Sequence, residues 1–228
     1  MMAIKEVFFD IDGTLYPSRR FSALARRRAI RAMAREGVGV SEKRLSEGLK
    51  RAVEKYGPNY PRHFDKLLEG FGVKDSARFV AAAVRAYHAA KAGMKPYPGV
   101  GRALSELRRM GLRLYIASEG VPVKQWDKLM RLGLHRHFDG VFVCGKKSGA
   151  FYASVLRKAK VKPREALMVG DSFDKDVAPA WRARMRVAYV THGRPGTPQV
   201  PVTRLARTGA IGASVPCLPR ALKQRGMI

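Results

Sequence analysis

The chain has 228 residues, of which 46% are hydrophobic and 28% charged, so it can bury a sizeable core and is not of a disordered class. Its 45 Lys and Arg residues against 18 Asp and Glu give a formal net charge of +27, which favours anionic partners. Two cysteines are too few for a disulfide framework, so we expect a protein of the reducing cytoplasm. No apolar run is long enough to span a bilayer, so we also expect a soluble protein with no membrane partner.

The first predicted strand, Ile4–Phe9, leads directly into two aspartates. Asp10 and Asp12 follow the apolar end of this strand, and Gly13 comes next. Side chains alternate faces along a strand, so two carboxylates one residue apart serve one reaction only if the chain turns at once, and glycine permits that turn. One carboxylate can then attack a substrate while the other moves a proton.

The interval from residue 17 to residue 94 is predicted to be helical. Apolar residues recur there at helical spacing, and glycine and proline breakers separate the runs. The predicted helices cover Phe21–Arg35, Glu42–Lys55, Pro61–Phe71 and Ser76–Lys91. They indicate a small all-α domain inserted after the first strand.

Strands and helices alternate from residue 95 onward, which indicates βαβ units and a parallel sheet. The predicted strands are Leu112–Ala117, Val141–Val143, Ala166–Val169 and Val187–Val190. The predicted helices are Gly101–Met110, Val123–Leu132, Phe151–Ala159 and Asp174–Ala183. The tail is predicted as a loop over Gly193–Pro201, a weak strand near Ala210–Ala213 and a helix over about Pro216–Gln224. We therefore predict an α/β fold with a Rossmann-like parallel sheet core, residues 1–16 and 95–228, and an inserted all-α domain of four helices, residues 17–94.

Polar side chains follow several of these predicted strands. Ser118 follows the second strand, Lys146 and Lys147 follow the third, and Asp171 follows the fourth. The carboxyl ends of parallel strands meet at one edge of the sheet, where ligands bind. Carboxylates, a lysine and a hydroxyl together suit metal-assisted phosphoryl transfer, with Asp10 and Asp171 as ligands of Mg²⁺. Ser118 is also a candidate helix N-cap, which is the competing structural explanation.

These motifs, in this order, resemble those of the haloacid dehalogenase (HAD) superfamily. The matching positions are Asp10-x-Asp12-Gly13-Thr14-Leu15, Ser118, Lys146 or Lys147, and Gly170-Asp171-Ser172 with Asp176. The helical insertion resembles the C1 cap of that superfamily, and the segments Tyr56–Asp65 and Pro122–Trp126 are similar to those of archaeal members. The resemblance covers nearly the whole chain, so it is far more specific than any one motif.

The resemblance implies a Mg²⁺-dependent phosphatase that hydrolyses a small phosphate monoester through an aspartyl-phosphate. Asp10 would be the nucleophile, and Asp12 the general acid and base, while the backbone carbonyl of Asp12 would join Asp10 and Asp171 at the metal. Ser118 and the lysine would hold the phosphoryl group, and the cap would close over the substrate. Substrate contacts are also expected from Thr14, Glu119 and Gly120, and Ser172 and Asp176 are expected close to the metal ligands.

Two positions depart from the family pattern. Glu119 stands where many relatives carry Asn, which puts a negative charge near a phosphate site. The family's Lys-Pro-x-Pro pattern is absent, and Lys146-Lys147-Ser148-Gly149 stands instead. Counting back without gaps from the helix that contains Phe151 selects Lys146, which we prefer, whereas a one-residue deletion selects Lys147.

Two other functions stay open. A 2-haloacid dehalogenase would use Asp10 without a metal, but relatives with that activity resemble Asp-x-Tyr where this chain has Asp12, which favours the phosphatase. The charge also suits a nucleic-acid-binding module on a degenerate HAD core. The basic residues are spread along the chain, however, and no aromatic residue interleaves their densest run, Arg26–Arg28. We therefore expect a small anionic phosphorylated metabolite as the partner, and the sequence does not predict an oligomeric state.

Overall fold

Six parallel strands form one sheet in the part of the chain that the computed structural model describes, residues 3–191 and 207–228. Their spatial order is β3-β2-β1-β4-β5-β6, and every neighbouring pair is parallel. The strands are β1 Glu6–Phe9, β2 Arg113–Glu119, β3 Gly140–Cys144, β4 Ala166–Gly170, β5 Arg186–Tyr189 and β6 Ile211–Gly212. The predicted α/β class with a parallel, Rossmann-like sheet is confirmed.

The register of the three central strands determines which residues meet at the carboxyl edge. β1 and β4 are buried along their whole length, as expected for strands of a parallel sheet that is covered on both faces. Phe9 at the end of β1 pairs with Ile116 of β2 on one side and Val169 of β4 on the other. The residues that follow these three positions therefore emerge at the same level of the sheet.

The chain divides into two compact units, Met1–Pro17 with Lys95–Ile228, and Ser18–Met94. The second unit, whose residues are all described, consists of α1 Ser18–Arg35, α2 Glu42–Tyr56, α3 His63–Glu69 and α4 Ala77–Lys91. Its core is built from residues at helical spacing, such as Ala29, Ile30 and Met33 of α1. The assignment of this unit as a cap stays a prediction.

The helices of the first unit follow the strands in the chain. They are α5 Val100–Arg109, α6 Pro122–Arg131, α7 Gly149–Ala159, α8 Ala178–Arg182 and α9 Leu218–Gln224, with short 3-10 turns at His135–His137, Pro163–Glu165 and Val215–Cys217. The predicted helix Asp174–Ala183 differs in one respect, because it begins as a π-helical turn, Phe173–Val177, that leads into α8. The predicted loop Gly193–Pro201 lies outside the described residues.

The composition led to expectations about disulfide bonds and about membrane-spanning helices. Cys144 and Cys217 are both free thiols. None of the helices in residues 3–191 and 207–228 has the length and apolar character that crossing a membrane requires.

Candidate active site

Asp10 lies at the carboxyl edge of the sheet, directly after β1, and its side chain is buried. Its backbone N–H donates to the carbonyl of Val169 at 3.0 Å, which continues the register of β1 on β4. Its Oδ1 accepts hydrogen bonds from Ser118 Oγ at 3.0 Å and from Lys147 Nζ at 2.6 Å. Groups from β2 and from the loop after β3 therefore converge on one carboxylate, as the strand order predicts.

Lys147 is the lysine that the structure brings to this site. Its buried ammonium lies 2.6 Å from Asp10 Oδ1 and 2.5 Å from Asp176 Oδ1. Burial opposes the charged form, but the two carboxylates outweigh it and hold the pKa of Lys147 well above its ordinary value. Lys146, which is preferred from the sequence, is exposed, so the geometry favours Lys147 as the lysine of this site. The reason is local: Ser148 caps α7 by accepting from the N–H of Phe151, and the residue immediately before this cap is the one buried.

The turn after Asp10 depends on Gly13. This residue has a φ of 89°, in the left-handed region, and its N–H donates to the carbonyl of Tyr16 at 3.1 Å. A Cβ at Gly13 would lie 2.2 Å from Oδ2 of Asp171, so the carboxylate of Asp171 packs directly against the glycine backbone. Thr14, expected to bind substrate, is buried and donates from Oγ1 to Asp171 Oδ1 at 3.4 Å. The turn thus separates Asp12 from Asp10 and leaves space for Asp171.

Asp12 has partners of its own. The hydroxyl of Tyr16 donates to Asp12 Oδ1 at 2.6 Å, and Nζ of Lys128, on α6, forms an ion pair with Asp12 Oδ2. The side chain of Asp12 is 37% exposed, whereas Asp10 is buried. The two carboxylates therefore have different environments, which suits different chemical roles.

Three carboxylates form a cluster that fits a divalent cation. Asp10, Asp171 and Asp176 each offer an oxygen, and these oxygens lie within 4.8 Å of one another. Lys147 supplies one ammonium against three carboxylates, and an excess of negative charge in a buried place favours a cation with hard oxygen ligands such as Mg²⁺. Asp176 was expected close to the metal ligands and is itself a member of this cluster. The side chain of Asp12 is not a member of the cluster found among the described residues.

The π-helical turn brings Asp176 to the end of β4. The N–H of Val177 donates to the carbonyl of Ser172 five residues earlier, and the N–H of Ser172 donates to Asp176 Oδ2 at 3.0 Å. A Cβ at Gly170 would lie 2.3 Å from Cγ of Asp176, so the absence of a side chain there permits the approach. Burial raises the pKa of Asp176 to about 6, although Lys147 favours its charged form. Such π turns are frequent at functional sites.

The carboxyl end of β2 and the residue after it are held by contacts that sequence patterns did not reveal. Ser118 Oγ accepts from Nε2 of Gln125 at 3.0 Å, and the cap of α6 is Val121, so Ser118 is not the N-cap. Glu119 accepts from the N–H of Lys147 at 2.8 Å and from Lys175 Nζ at 2.6 Å. Burial favours its neutral form, but these contacts lower the pKa of Glu119 and balance its charge. The N–H of Gly120, expected at the substrate, donates to the carbonyl of Cys144.

Tyr16, Gln125, Lys128 and Lys175 were not predicted as site residues. For Gln125, though not for Lys128, a signal was available in the sequence, because Gln125 lies one helical turn before the apolar Leu129. Gln125 and Leu129 are one helical turn apart and both buried, so a polar residue occupies the inward face of this helix. A buried amide needs a hydrogen-bond partner, which points towards the sheet edge.

Known proteins resemble this chain in sequence and in fold. Residues 4–184 match the family model of the haloacid dehalogenase-like hydrolases. The chain is 44% identical over 199 residues to the glyceraldehyde 3-phosphate phosphatase of Methanopyrus kandleri, covering 84% of this chain and 85% of that protein. The enzyme of the same name from Methanocaldococcus jannaschii is 34% identical over 197 residues, covering 84% and 86%. A haloacid dehalogenase-like family hydrolase from Xanthomonas campestris shares the fold, with a TM-score of 0.69 and 20% identity over 97% of this chain and 91% of that chain.

Proposed function

We propose that this chain, which belongs to the haloacid dehalogenase-like hydrolase family, hydrolyses phosphate monoesters through an aspartyl-phosphate on Asp10, with Mg²⁺ as the cofactor. The observation that carries the proposal is the convergence of Ser118 and Lys147 on the carboxylate of Asp10. Its relatives named glyceraldehyde 3-phosphate phosphatase support that triose phosphate as the substrate.

The two aspartates divide the reaction between them. A carboxylate oxygen of Asp10 attacks phosphorus, and the bond to the leaving oxygen breaks as Asp12, which enters this step in its protonated form, gives that oxygen its proton. Asp12 then takes a proton from the water that attacks the aspartyl-phosphate, which releases inorganic phosphate and restores Asp10. The partial exposure of Asp12 allows a leaving group and a water molecule to reach it.

The remaining groups orient the reactants and offset charge. Lys147 holds Asp10 in place and balances negative charge at the buried edge of the sheet, and Ser118 donates to the same carboxylate. Asp10, Asp171 and Asp176 would hold Mg²⁺, which when bound offsets the negative charge of the phosphoryl oxygens.

The test measures phosphate release from glyceraldehyde 3-phosphate and from p-nitrophenyl phosphate, with Mg²⁺ and with EDTA. We expect Asp10→Asn to lower kcat by more than about 10⁴-fold on both esters, because the nucleophile is lost. Asp174→Asn is the matched control, since Asp174 is an exposed aspartate in the π-helical turn. EDTA should abolish turnover, and Mg²⁺ should restore it.

Other outcomes would replace parts of the proposal. Turnover that survives Asp10→Asn contradicts the aspartyl-phosphate, and a stronger preference for another phosphorylated metabolite contradicts the triose phosphate. Metal-independent halide release from L-2-chloropropionate, without phosphatase activity, would indicate the dehalogenase. Salt-sensitive oligonucleotide binding that survives Asp10→Asn, without turnover, would indicate the nucleic-acid-binding module.

A further inference from the structure

We propose that Lys128 and Tyr16 are positioning residues that hold the carboxyl group of Asp12 in the orientation for proton transfer to the leaving group. The inference rests on the proposed function, because it assigns a role in the same reaction. It adds helix α6, in which no catalytic motif lies, to the elements that determine the rate of hydrolysis.

Each oxygen of Asp12 has a different donor. Tyr16 donates its hydroxyl to Oδ1 at 2.6 Å, and the ammonium of Lys128 contacts Oδ2. A carboxyl group held at both oxygens has its plane fixed, whereas a single hydrogen bond leaves it free to rotate. Proton transfer requires the acid within hydrogen-bond reach of the leaving oxygen, so this orientation affects the chemical step directly.

The ion pair between Lys128 and Asp12 contributes too little to the free energy of folding for stability alone to explain it. The side chains of Asp12 and Lys128 are 37% and 25% exposed, so water partly screens this half-buried ion pair, and ion pairs that water screens contribute on the order of 1 kcal/mol or less to folding. The same partial exposure keeps Asp12 accessible to a substrate. A lysine that adds little to folding but contacts the proposed acid is therefore better explained by a role in the reaction.

Both donors are themselves held by the fold. Tyr16 is 4% exposed, and its carbonyl accepts from the N–H of Gly13, which closes the turn that carries Asp12. Lys128 lies on α6 three residues after Gln125, so the two side chains leave the helix on neighbouring positions of one face. Gln125 contacts Ser118, so one face of α6 reaches both the phosphate-binding hydroxyl and the acid.

The role of Asp12 as an acid depends on the leaving group. An alkoxide leaving group needs a proton as its bond to phosphorus breaks, whereas p-nitrophenolate is stable as an anion and needs little protonation. Loss of a residue that only orients Asp12 should therefore slow an alkyl phosphate more than an aryl phosphate. Loss of a residue that supports the site as a whole should slow both to the same extent.

The experiment compares kcat/KM for glycerol 2-phosphate and p-nitrophenyl phosphate in Lys128→Met, Tyr16→Phe and Lys128→Arg. We expect Lys128→Met and Tyr16→Phe to lower the value for glycerol 2-phosphate about tenfold and that for p-nitrophenyl phosphate less than about twofold, since misplacing an acid removes part of its contribution of 10²- to 10⁴-fold. Lys128→Arg should recover part of the loss because it keeps the charge. Lys124→Met, an exposed lysine one turn earlier on α6, is the matched control and should change neither value.

Each result bears on the inference. A selective loss on the alkyl ester supports it, and retained turnover of the aryl ester shows that the variant is folded. Equal losses on the two esters, or no loss on either, overturn the inference while the proposed function stands. An unsubstituted protein that hydrolyses neither ester, nor glyceraldehyde 3-phosphate, overturns the proposed function and the inference with it.

Discussion

The buried ammonium of Lys147 gives the sharpest prediction at the scale of single residues. It lies between the carboxylates of Asp10 and Asp176, so Lys147→Met would leave two buried like charges without a cation. We expect a loss of about 3 kcal/mol in the free energy of unfolding, typical of a buried ion pair that loses one partner, together with loss of phosphatase activity. Urea denaturation and a phosphate-release assay measure both effects.

The neighbouring lysine provides the control for this prediction. Lys146 is exposed, and Lys146→Met should change the free energy of unfolding by less than about 0.5 kcal/mol and leave activity intact. Loss of activity in Lys146→Met, with full activity in Lys147→Met, would contradict the assignment made from the structure.

These two lysines also show where sequence reasoning about the site ends. Asp10 and Ser118 were predicted because each directly follows a recognisable strand, and the strand order brings them together. The lysine lies in a loop, where a shift of one residue exchanges an exposed side chain for a buried one. Lys128 comes from a helix whose rotation the hydrophobic pattern does not define closely enough to reveal its contact with Asp12.

At the scale of elements, the π-helical turn Phe173–Val177 depends on a glycine in the preceding strand. A Cβ at Gly170 would lie 2.3 Å from Cγ of Asp176, so Gly170→Ala must displace the turn or the end of β4. We expect a loss of about 1 to 3 kcal/mol in the free energy of unfolding, as for other overpacked sites, and reduced phosphatase activity because Asp176 moves away from Lys147. Thermal denaturation and steady-state kinetics test both effects.

Gly101→Ala is the matched control for that substitution. Gly101 lies in α5, and no atom of the described residues outside its own stretch of helix lies within 4 Å of the position of an added Cβ. Alanine there should leave activity unchanged and raise the free energy of unfolding by up to about 1 kcal/mol, through helix propensity. Equal effects of the two substitutions would show that close packing at Gly170 is not required.

Most elements could be predicted because the apolar periodicity has one dominant interpretation. β1, for example, contains the apolar run Val7–Phe9, which is buried on both faces, and α2 begins after Ser41, whose side chain accepts from the N–H of Arg44. The π-helical turn could not be predicted, because it places Asp176 against Gly170 and in an ion pair with Lys147, and local propensity does not reveal such contacts. Its extra residue shifts the side chains that follow relative to a regular α-helix.

At the scale of the whole molecule, the basic residues that give the net charge of +27 are spread along the chain. At the proposed site, by contrast, charges are paired, with Lys128 beside Asp12 and Lys175 beside Glu119. A cationic surface raises the local concentration of an anionic substrate at a distance, while the cluster of carboxylates provides for a metal. The net charge therefore affects how fast an anionic substrate reaches the protein and how soluble the protein is, whereas the residues at the strand ends determine the proposed reaction.

The pH dependence of global stability can be predicted from Glu6, at the start of β1. Its side chain is fully buried, Oε1 accepts from the half-exposed Arg113, and Oε2 has no hydrogen-bond partner within the described residues. Burial raises the pKa of Glu6 above its ordinary value of 4.5, against the effect of Arg113. The folded state therefore binds this proton more tightly than the unfolded state, so the contribution of Glu6 to stability falls as the pH rises above 4.5.

Glu6→Gln isolates this contribution from the other titrating groups, because glutamine stays neutral. We expect the difference in the free energy of unfolding, Glu6→Gln minus the unsubstituted protein, to increase as the pH rises from about 4 to about 7. Over this range the unsubstituted protein has to charge its buried carboxyl group, whereas the glutamine variant has no group to charge at this position. Glu165→Gln should show the opposite slope at lower pH, below about 4.5, because the hydrogen bond from Lys5 lowers the pKa of Glu165, and the stability that Glu165 contributes is lost as the pH falls. Urea denaturation of the three proteins between about pH 3 and about pH 7 tests both slopes. A difference for Glu6→Gln that does not vary with pH would mean that the pair with Arg113 fully compensates the burial of the charge.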